Sequence, residues 1–216
     1  MRIILLGLVG AGKGTQAQML AQHMGIAHVA SGDLFRQHQE QGTELGLLVK
    51  QYMEKGDLVP DDVTIRMIMD RIEREDCRQG FILDGFPRTM EQATALDQAL
   101  GDQGVDCVVN IRVSQEELVR RLSGRLICRQ CQTPYHQTNL PPKVEGRCDK
   151  CGGELYQRAD DKPDVVQRRI QVQQGLLAAL LDLYSKQGKL AEVDGEREIE
   201  KVSEQLLEAV SQCSPV

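Results

Sequence analysis

The 216-residue sequence predicts an α/β fold in which a parallel, five-stranded sheet is flanked by helices and interrupted by two inserted, mobile subdomains. Three observations point to it: short apolar runs alternating with helical patterns, a glycine-rich turn between the first run and the first helix, and two segments that break the alternation. A chain of this length buries one apolar core without needing a further large domain.

Arg2 to Leu6 is apolar at nearly every position, as in a central strand covered on both faces. The glycine turn follows, then Ala17, Leu20, Ala21 and Met24 at helical spacing, stopped by Gly25. Runs at residues 26–30, 81–84, 105–113 and 190–193 supply the remaining strands. Ser114 with Glu117 three residues later reads as a capping box opening a helix through Leu118 and Leu122. A long amphipathic helix is predicted from about Asp164 past Leu176, Leu180 and Tyr184, and Ile199, Val202, Leu206 and Val210 mark a last one. Residues 31–67 hold short helices and residues 126–158 hold cysteines, prolines and glycines, leaving residues 1–30, 68–125 and 159–216 as the core. Insertions of this kind lie at the strand ends where open parallel sheets bind ligands.

Hydrophobic and charged shares of 41% and 27% are those of a globular protein, and no stretch approaches the roughly 20 apolar residues of a membrane span. The apolar stretch at residues 3–9 breaks at Gly10 and Lys13, so a buried strand is expected rather than an export signal, and a cytoplasmic location with it. A net charge of -6 argues against a general nucleic-acid binder. Of the seven cysteines, Cys77, Cys107 and Cys213 are expected as ordinary thiols, Cys107 buried in a strand, because an odd count without an export signal disfavours a disulfide framework.

Residues 7–15, Gly-Leu-Val-Gly-Ala-Gly-Lys-Gly-Thr, occupy the strand-to-helix position that a Walker phosphate loop requires. Glycines let successive amides face phosphate oxygens, the helix N-terminus adds its positive end, and Lys13 reaches the terminal phosphates. A tight turn with a surface lysine is the plainer alternative, and the agreement of pattern with context weighs against it. Asp84, at the carboxyl end of its strand, suits metal-bound water near phosphates, and Gly85 and Arg88 suit a second anion. Arg121 and Arg125, four apart, are expected on one helix face, and Arg158 and Arg169 flank the start of the long helix. Arginines bracketing one insertion suggest a polyphosphate clamp, whereas Arg120, Arg129 and Arg168 read as solvated surface. Cys128, Cys131, Cys148 and Cys151 form C-x2-C-x16-C-x2-C, the spacing of a structural four-thiolate zinc site with no open position for chemistry. Iron or cobalt suits the same ligands. His23, His28, His38 and His136 lack a spacing that marks catalysis and read as surface or hydrogen-bonding bystanders.

On these residues the sequence closely resembles the long-lid adenylate kinases over essentially its whole length. The shared segments are the glycine loop, Ser31 with Gly32 to Arg36, Gly56 to Pro60, Asp84 to Thr89 with Gln92, the arginines and the cysteine lid, in the family's order. The resemblance implies a P-loop kinase fold and reversible, Mg2+-dependent transfer of the ATP γ-phosphoryl group to AMP, giving two ADP, by a cytoplasmic monomer. It implies that Gly10, Ala11, Gly12, Lys13, Gly14, Thr15, Arg125, Pro134, Tyr135 and the backbone near Arg197 bind ATP. Ser31, Arg36, Asp57, Leu58, Val59, Gly85, Phe86, Pro87, Arg88, Gln92, Arg158 and Arg169 would bind AMP. Lys13, Arg88, Arg121, Arg125, Arg158 and Arg169 would neutralise the transferring phosphoryl, with Asp84 on magnesium-bound water. Residues 31–67 become the monophosphate-binding insertion and residues 126–158 the metal-binding lid. Val9 and Ser31 stand where the family has proline and threonine.

A uridylate or cytidylate acceptor is the nearest alternative, and Gln92 and the metal lid favour adenylate over it. A zinc-ribbon nucleic-acid binder joined to a nucleotide switch would find Tyr135 and Tyr156 as stacking groups, but the acidic chain lacks an extended basic surface. No nucleic-acid or membrane partner is expected.

Overall fold

In the computed structural model, which describes residues 1–101 and 104–213, β1 (Arg2–Leu6) leads through the glycine turn into α1 (Lys13–Met24). β2 (Ala27–Ala30) runs directly into α2 (Ser31–Glu40), followed by α3 (Glu44–Met53) and α4 (Asp61–Ile72). β3 (Phe81–Asp84), α5 (Met90–Leu100), β4 (Cys107–Arg112) and α6 (Gln115–Ser123) continue the alternation. The second insertion carries β5 (Arg125–Cys128), β6 (Pro134–His136) and β7 (Leu155–Tyr156), and the chain ends with α7 (Pro163–Lys186), β8 (Leu190–Asp194) and α8 (Ile199–Gln212). The five core strands lie in the order β2-β3-β1-β4-β8 with every neighbouring pair parallel, as the five apolar runs predict. Among the described residues no helix is long and apolar enough to cross a membrane.

Period-two alternation divides the core between the two faces of the sheet. Ile3, Leu5, Ile82, Val109 and Ile111 point to one face, under α1, α6 and α8, with Leu20, Leu118 and Leu206 packed on them. Ile4, Leu6, Phe81, Leu83 and Val108 point to the other, where Ile68 of α4, Leu96 of α5 and Tyr184 of α7 cover them. The long helix serves both faces, through Val166 and Ile170 on the first and Leu180 and Tyr184 on the second. With both faces covered, functional groups are left to the strand ends.

In the first insertion α2 and α3 cross so closely that a Cβ on Gly46 would lie 2.1 Å from the carbonyl oxygen of His38. Since that oxygen belongs to backbone, Gly46→Ala is expected to cost about 1 to 3 kcal/mol by forcing the helices apart. A fall in the urea midpoint at unchanged slope would measure it. Residue 67, the predicted end of this insertion, falls within the continuous helix α4. The second insertion is a three-stranded antiparallel sheet, β6-β5-β7, whose buried core is Cys128, Tyr135, Cys148 and Leu155.

Several local expectations are corrected. The helix after Ser114 starts as predicted, but no capping box forms: Glu117 pairs with Arg120 and Arg121, and the Ser114 amide donates to Glu196 instead. Charge pairing with two guanidiniums outcompetes a single backbone bond. Arg125 does not share a helix with Arg121, because α6 stops at Ser123 and Arg125 opens β5. Cys107 and Cys213 are joined by a disulfide, with Cα atoms 5.5 Å apart, rather than standing as separate thiols. Docking of Val202, Leu206 and Val210 on the sheet brings the end of α8 to the start of β4, a proximity across 106 residues that no local spacing encodes.

Candidate active site

The carboxyl ends of β1, β2 and β3, the glycine turn and the two insertions enclose one cleft of about 450 Å3. Its floor follows from the turn. Gly10 and Gly12 have φ of 87° and 91°, a left-handed backbone that glycine adopts freely, and α1 begins with neither a side-chain cap nor an acid in its first turn. The first amides of α1 and its positive dipole end are thereby offered to an anion. Lys13 arches over the turn, donating to the carbonyl oxygens of Gly7 at 2.8 Å and Leu8 at 2.9 Å. Burial pushes its ammonium down to about 8, Asp84 partly opposes this, and Arg88, Arg169 and Arg125 add to it.

Asp84 closes β3, and a Cβ on Gly14 would lie 3.3 Å from its Oδ2, so the loop and the carboxylate are in near contact. Burial raises the Asp84 carboxyl, but the His28 ring, the Lys13 ammonium and Arg88 together outweigh it and hold the group below the ordinary carboxylate range. His28 Nε2 stands 3.6 Å from Asp84 Oδ2, because β2 pairs in parallel with β3 and sets His28 beside Ile82, two residues before Asp84. That histidine, read as a bystander from sequence, therefore lines the cleft. Only the strand order could have located it.

Seven basic residues line the cleft, Lys13, Arg36, Arg88, Arg121, Arg125, Arg158 and Arg169, against four acids, Asp33, Asp57, Asp84 and Asp160. Burial lowers Arg88 and Arg158 each to about 10, with like charges adding to it, so both remain cationic at neutral pH. Asp161, fully buried, takes Arg125 Nε at 2.8 Å and Arg169 at 3.3 Å, and Asp160 meets Arg169 at 3.0 Å. Arg121 is aimed by Glu117 at 2.7 Å and by the Gly195 carbonyl at 2.9 Å. Among the described residues, Arg36 Nε and Arg158 Nε are buried without a hydrogen-bond partner. Unpaired buried guanidinium nitrogens are costly unless an anion completes them.

At the far end, Ser31 Oγ donates to the Gly85 carbonyl at 2.8 Å, and Arg88 Nε donates to the same oxygen at 2.8 Å. A Cβ on Gly85 would lie 2.7 Å from Ser31 Oγ and 2.9 Å from an Arg88 nitrogen, so glycine is what permits this convergence. Gln92 opens into the same end of the cleft beside Asp57, Leu58, Val59 and Pro87. Of the residues the resemblance implicates, Ala11 and Phe86 are buried in the core behind the cleft. Arg197 pairs with Asp194 on the surface, and Pro134 rather than Tyr135 faces inward. The Tyr135 hydroxyl accepts from the Asp149 amide at 2.7 Å and lies 3.5 Å from Cys148 Sγ, so its side chain belongs to the cysteine cluster.

The sulfurs of Cys128, Cys131, Cys148 and Cys151 all lie within 4.8 Å of one another, with three separations of 3.3 to 3.5 Å. A tetrahedral thiolate shell with bonds of about 2.3 Å has sulfurs roughly 3.8 Å apart, so the cluster could hold a metal ion.

Residues 5–189 match the family model for adenylate kinase. The adenylate kinase of Carboxydothermus hydrogenoformans is 50% identical over 204 residues, covering 94% of this chain and 95% of its own. That of Lysinibacillus sphaericus is 50% identical over 204 residues, with 94% of each chain covered, and that of Methanocella arvoryzae is 48% identical over 212 residues, covering 97% of this chain and 98% of its own. A phosphate loop, a cation-lined cleft and a four-cysteine lid in this order, together with matches spanning nearly the whole sequence, show that the chain belongs to the adenylate kinase family.

Proposed function

We propose that the cleft holds ATP and AMP with their phosphates end to end, the donor over the glycine turn and the acceptor between Ser31, Arg36, Arg88 and Gln92. The activity is that of the family, ATP:AMP phosphotransfer giving two ADP. The observation that carries the placement is the convergence of seven cations on one cleft, two of them with buried nitrogens lacking partners. Magnesium enters as part of the MgATP substrate, and the depressed carboxyl of Asp84 stays ionised to hold its water.

Phosphoryl transfer spreads negative charge over the transferring group, and it needs alignment and neutralisation more than a general base. Lys13 and the first-turn amides of α1 hold the donor phosphates. Arg36 and Arg88 hold the acceptor phosphate, while Arg121, Arg125, Arg158 and Arg169 bracket the group in flight. Asp160 and Asp161 fix Arg125 and Arg169 in place, so that little reorganisation remains at the moment of transfer. Residues up to Pro60 in the first insertion and residues 126–158 in the second close over the nucleotides and exclude water, the competing acceptor. The four sulfurs hold a structural ion, zinc by donor type, with iron or cobalt suited to the same set. The protein works as a cytoplasmic monomer on free nucleotides, and its charge of -6 disfavours nucleic acid.

A coupled assay for ADP from ATP, AMP and Mg2+, with UMP, CMP and GMP as competing acceptors, tests the reading. AMP is expected to have the highest kcat/KM, and a preference for a pyrimidine acceptor would refute the placement of Gln92.

A further inference from the structure

We infer that Asp61 is a positioning residue for acceptor selectivity: it locks the Gln92 amide in the one orientation that pairs with a 6-aminopurine monophosphate and rejects a 6-oxopurine one. The inference rests on the acceptor-site reading above and names a residue outside the cleft lining. Asp61 opens α4 and Gln92 lies in the first turn of α5. Gln92 Nε2 donates to Asp61 Oδ1 at 2.7 Å, while Gln92 Oε1 accepts from the Arg88 amide at 2.7 Å. The second carboxylate oxygen is also occupied, accepting from Thr89 Oγ1 at 2.7 Å, and Thr89 in turn caps α5 by accepting from the Gln92 backbone N–H at 3.2 Å.

The chemistry of the two partners dictates which end of the amide is which. An ionised carboxylate only accepts and a backbone N–H only donates, so the Gln92 nitrogen must face Asp61 and its oxygen must face Arg88. Rotating the amide by half a turn would set oxygen against carboxylate and NH2 against N–H, two repulsive contacts in a residue that is 2% exposed. The locked amide retains one N–H and one lone pair at fixed positions. Adenine offers N1 as acceptor beside an N6 donor, whereas guanine and hypoxanthine offer an N1–H donor beside an O6 acceptor. A freely turning glutamine would read both edges; a locked one reads a single edge and leaves mismatched donors and acceptors against the other.

The test uses the full chain with ATP and compares AMP with IMP, which carries the 6-oxo edge without the 2-amino group of GMP. Asp61→Asn keeps the shape but offers both a donor and an acceptor to Gln92, so the amide can turn. The ratio of kcat/KM for AMP over IMP is expected to fall roughly tenfold, with the IMP value itself rising. A ratio that stays constant, whether both values hold or both fall together, would show Asp61 to be merely structural and overturn the lock. Should Asp61→Asn fail to fold, Asp61→Ser, whose hydroxyl also donates or accepts, is read the same way. Gln92→Ala separates the two levels of inference. If it leaves the AMP preference intact, the acceptor reading fails and the lock with it; if it erases the preference while Asp61→Asn does not, only the lock fails.

Discussion

Lys13→Met is expected to lower kcat by on the order of 1,000-fold while the protein stays folded. A single charge-stabilising donor in a preorganised site contributes roughly 100- to 1,000-fold, and a cation on a transferring phosphoryl more. Stability should not suffer. Burial pushes the ammonium down to about 8 from an ordinary 10.5, so the folded state carries the cost of holding this charge. The sign follows from linkage: the cost is fully present below about pH 8 and disappears as pH rises to 10.5. The methionine variant should therefore unfold at a higher temperature than the parent at pH 7, with the difference shrinking in alkali. In the parent, kcat/KM for ATP should decline as pH rises through about 8, where the free protein loses the Lys13 proton. Near-parental turnover in folded Lys13→Met would remove the lysine from the donor site.

Removing the proposed structural ion from the four-cysteine cluster, by chelation or by Cys128→Ser, should lower the unfolding temperature and loosen residues 126–158 first, seen as faster proteolysis there. The buried cluster of the second insertion is Cys128, Tyr135, Cys148 and Leu155, with Ile127 of β5 buried beside it, and two of the four offer sulfurs to the candidate metal site; that is too little apolar surface to hold three short strands. Zinc bound to small finger peptides contributes about 10 to 16 kcal/mol of apparent free energy, far beyond what those side chains supply. Four thiolates leave no coordination position for substrate, so on the proposed reading activity should persist in the cold, with the second insertion still closing and Arg125 and Arg158 still engaging the nucleotide. Metal analysis should find one ion per chain, lost when two of the cysteines are replaced. A metal-free protein of full thermal stability but no activity at any temperature would instead implicate the ion in substrate binding.

What the sequence by itself determined are features whose cause is local. Short continuous apolar strand runs, the glycine turn at residues 7–15, Asp84 at a strand end and the paired C-x2-C knuckles each depend on residues a few positions apart, and all occur in the structure where the pattern puts them. Backbone sterics, turn chemistry and ligand spacing act over that range, so they are legible without a fold. Tertiary structure alone decided which distant groups meet. The parallel pairing of β2 with β3 brought His28 to Asp84; the short turn at Ala159–Asp161 before α7 brought Asp161 to Arg125; the docking of α8 brought Cys213 to Cys107. The Tyr135 side chain joined the cysteine cluster, where its hydroxyl accepts from the Asp149 backbone amide. Asp61 and Gln92, 31 residues apart on two helices, acquired their relation only when α4 and α5 packed side by side, since side-chain polar contacts between elements depend on packing angle and register that no periodicity within either element records.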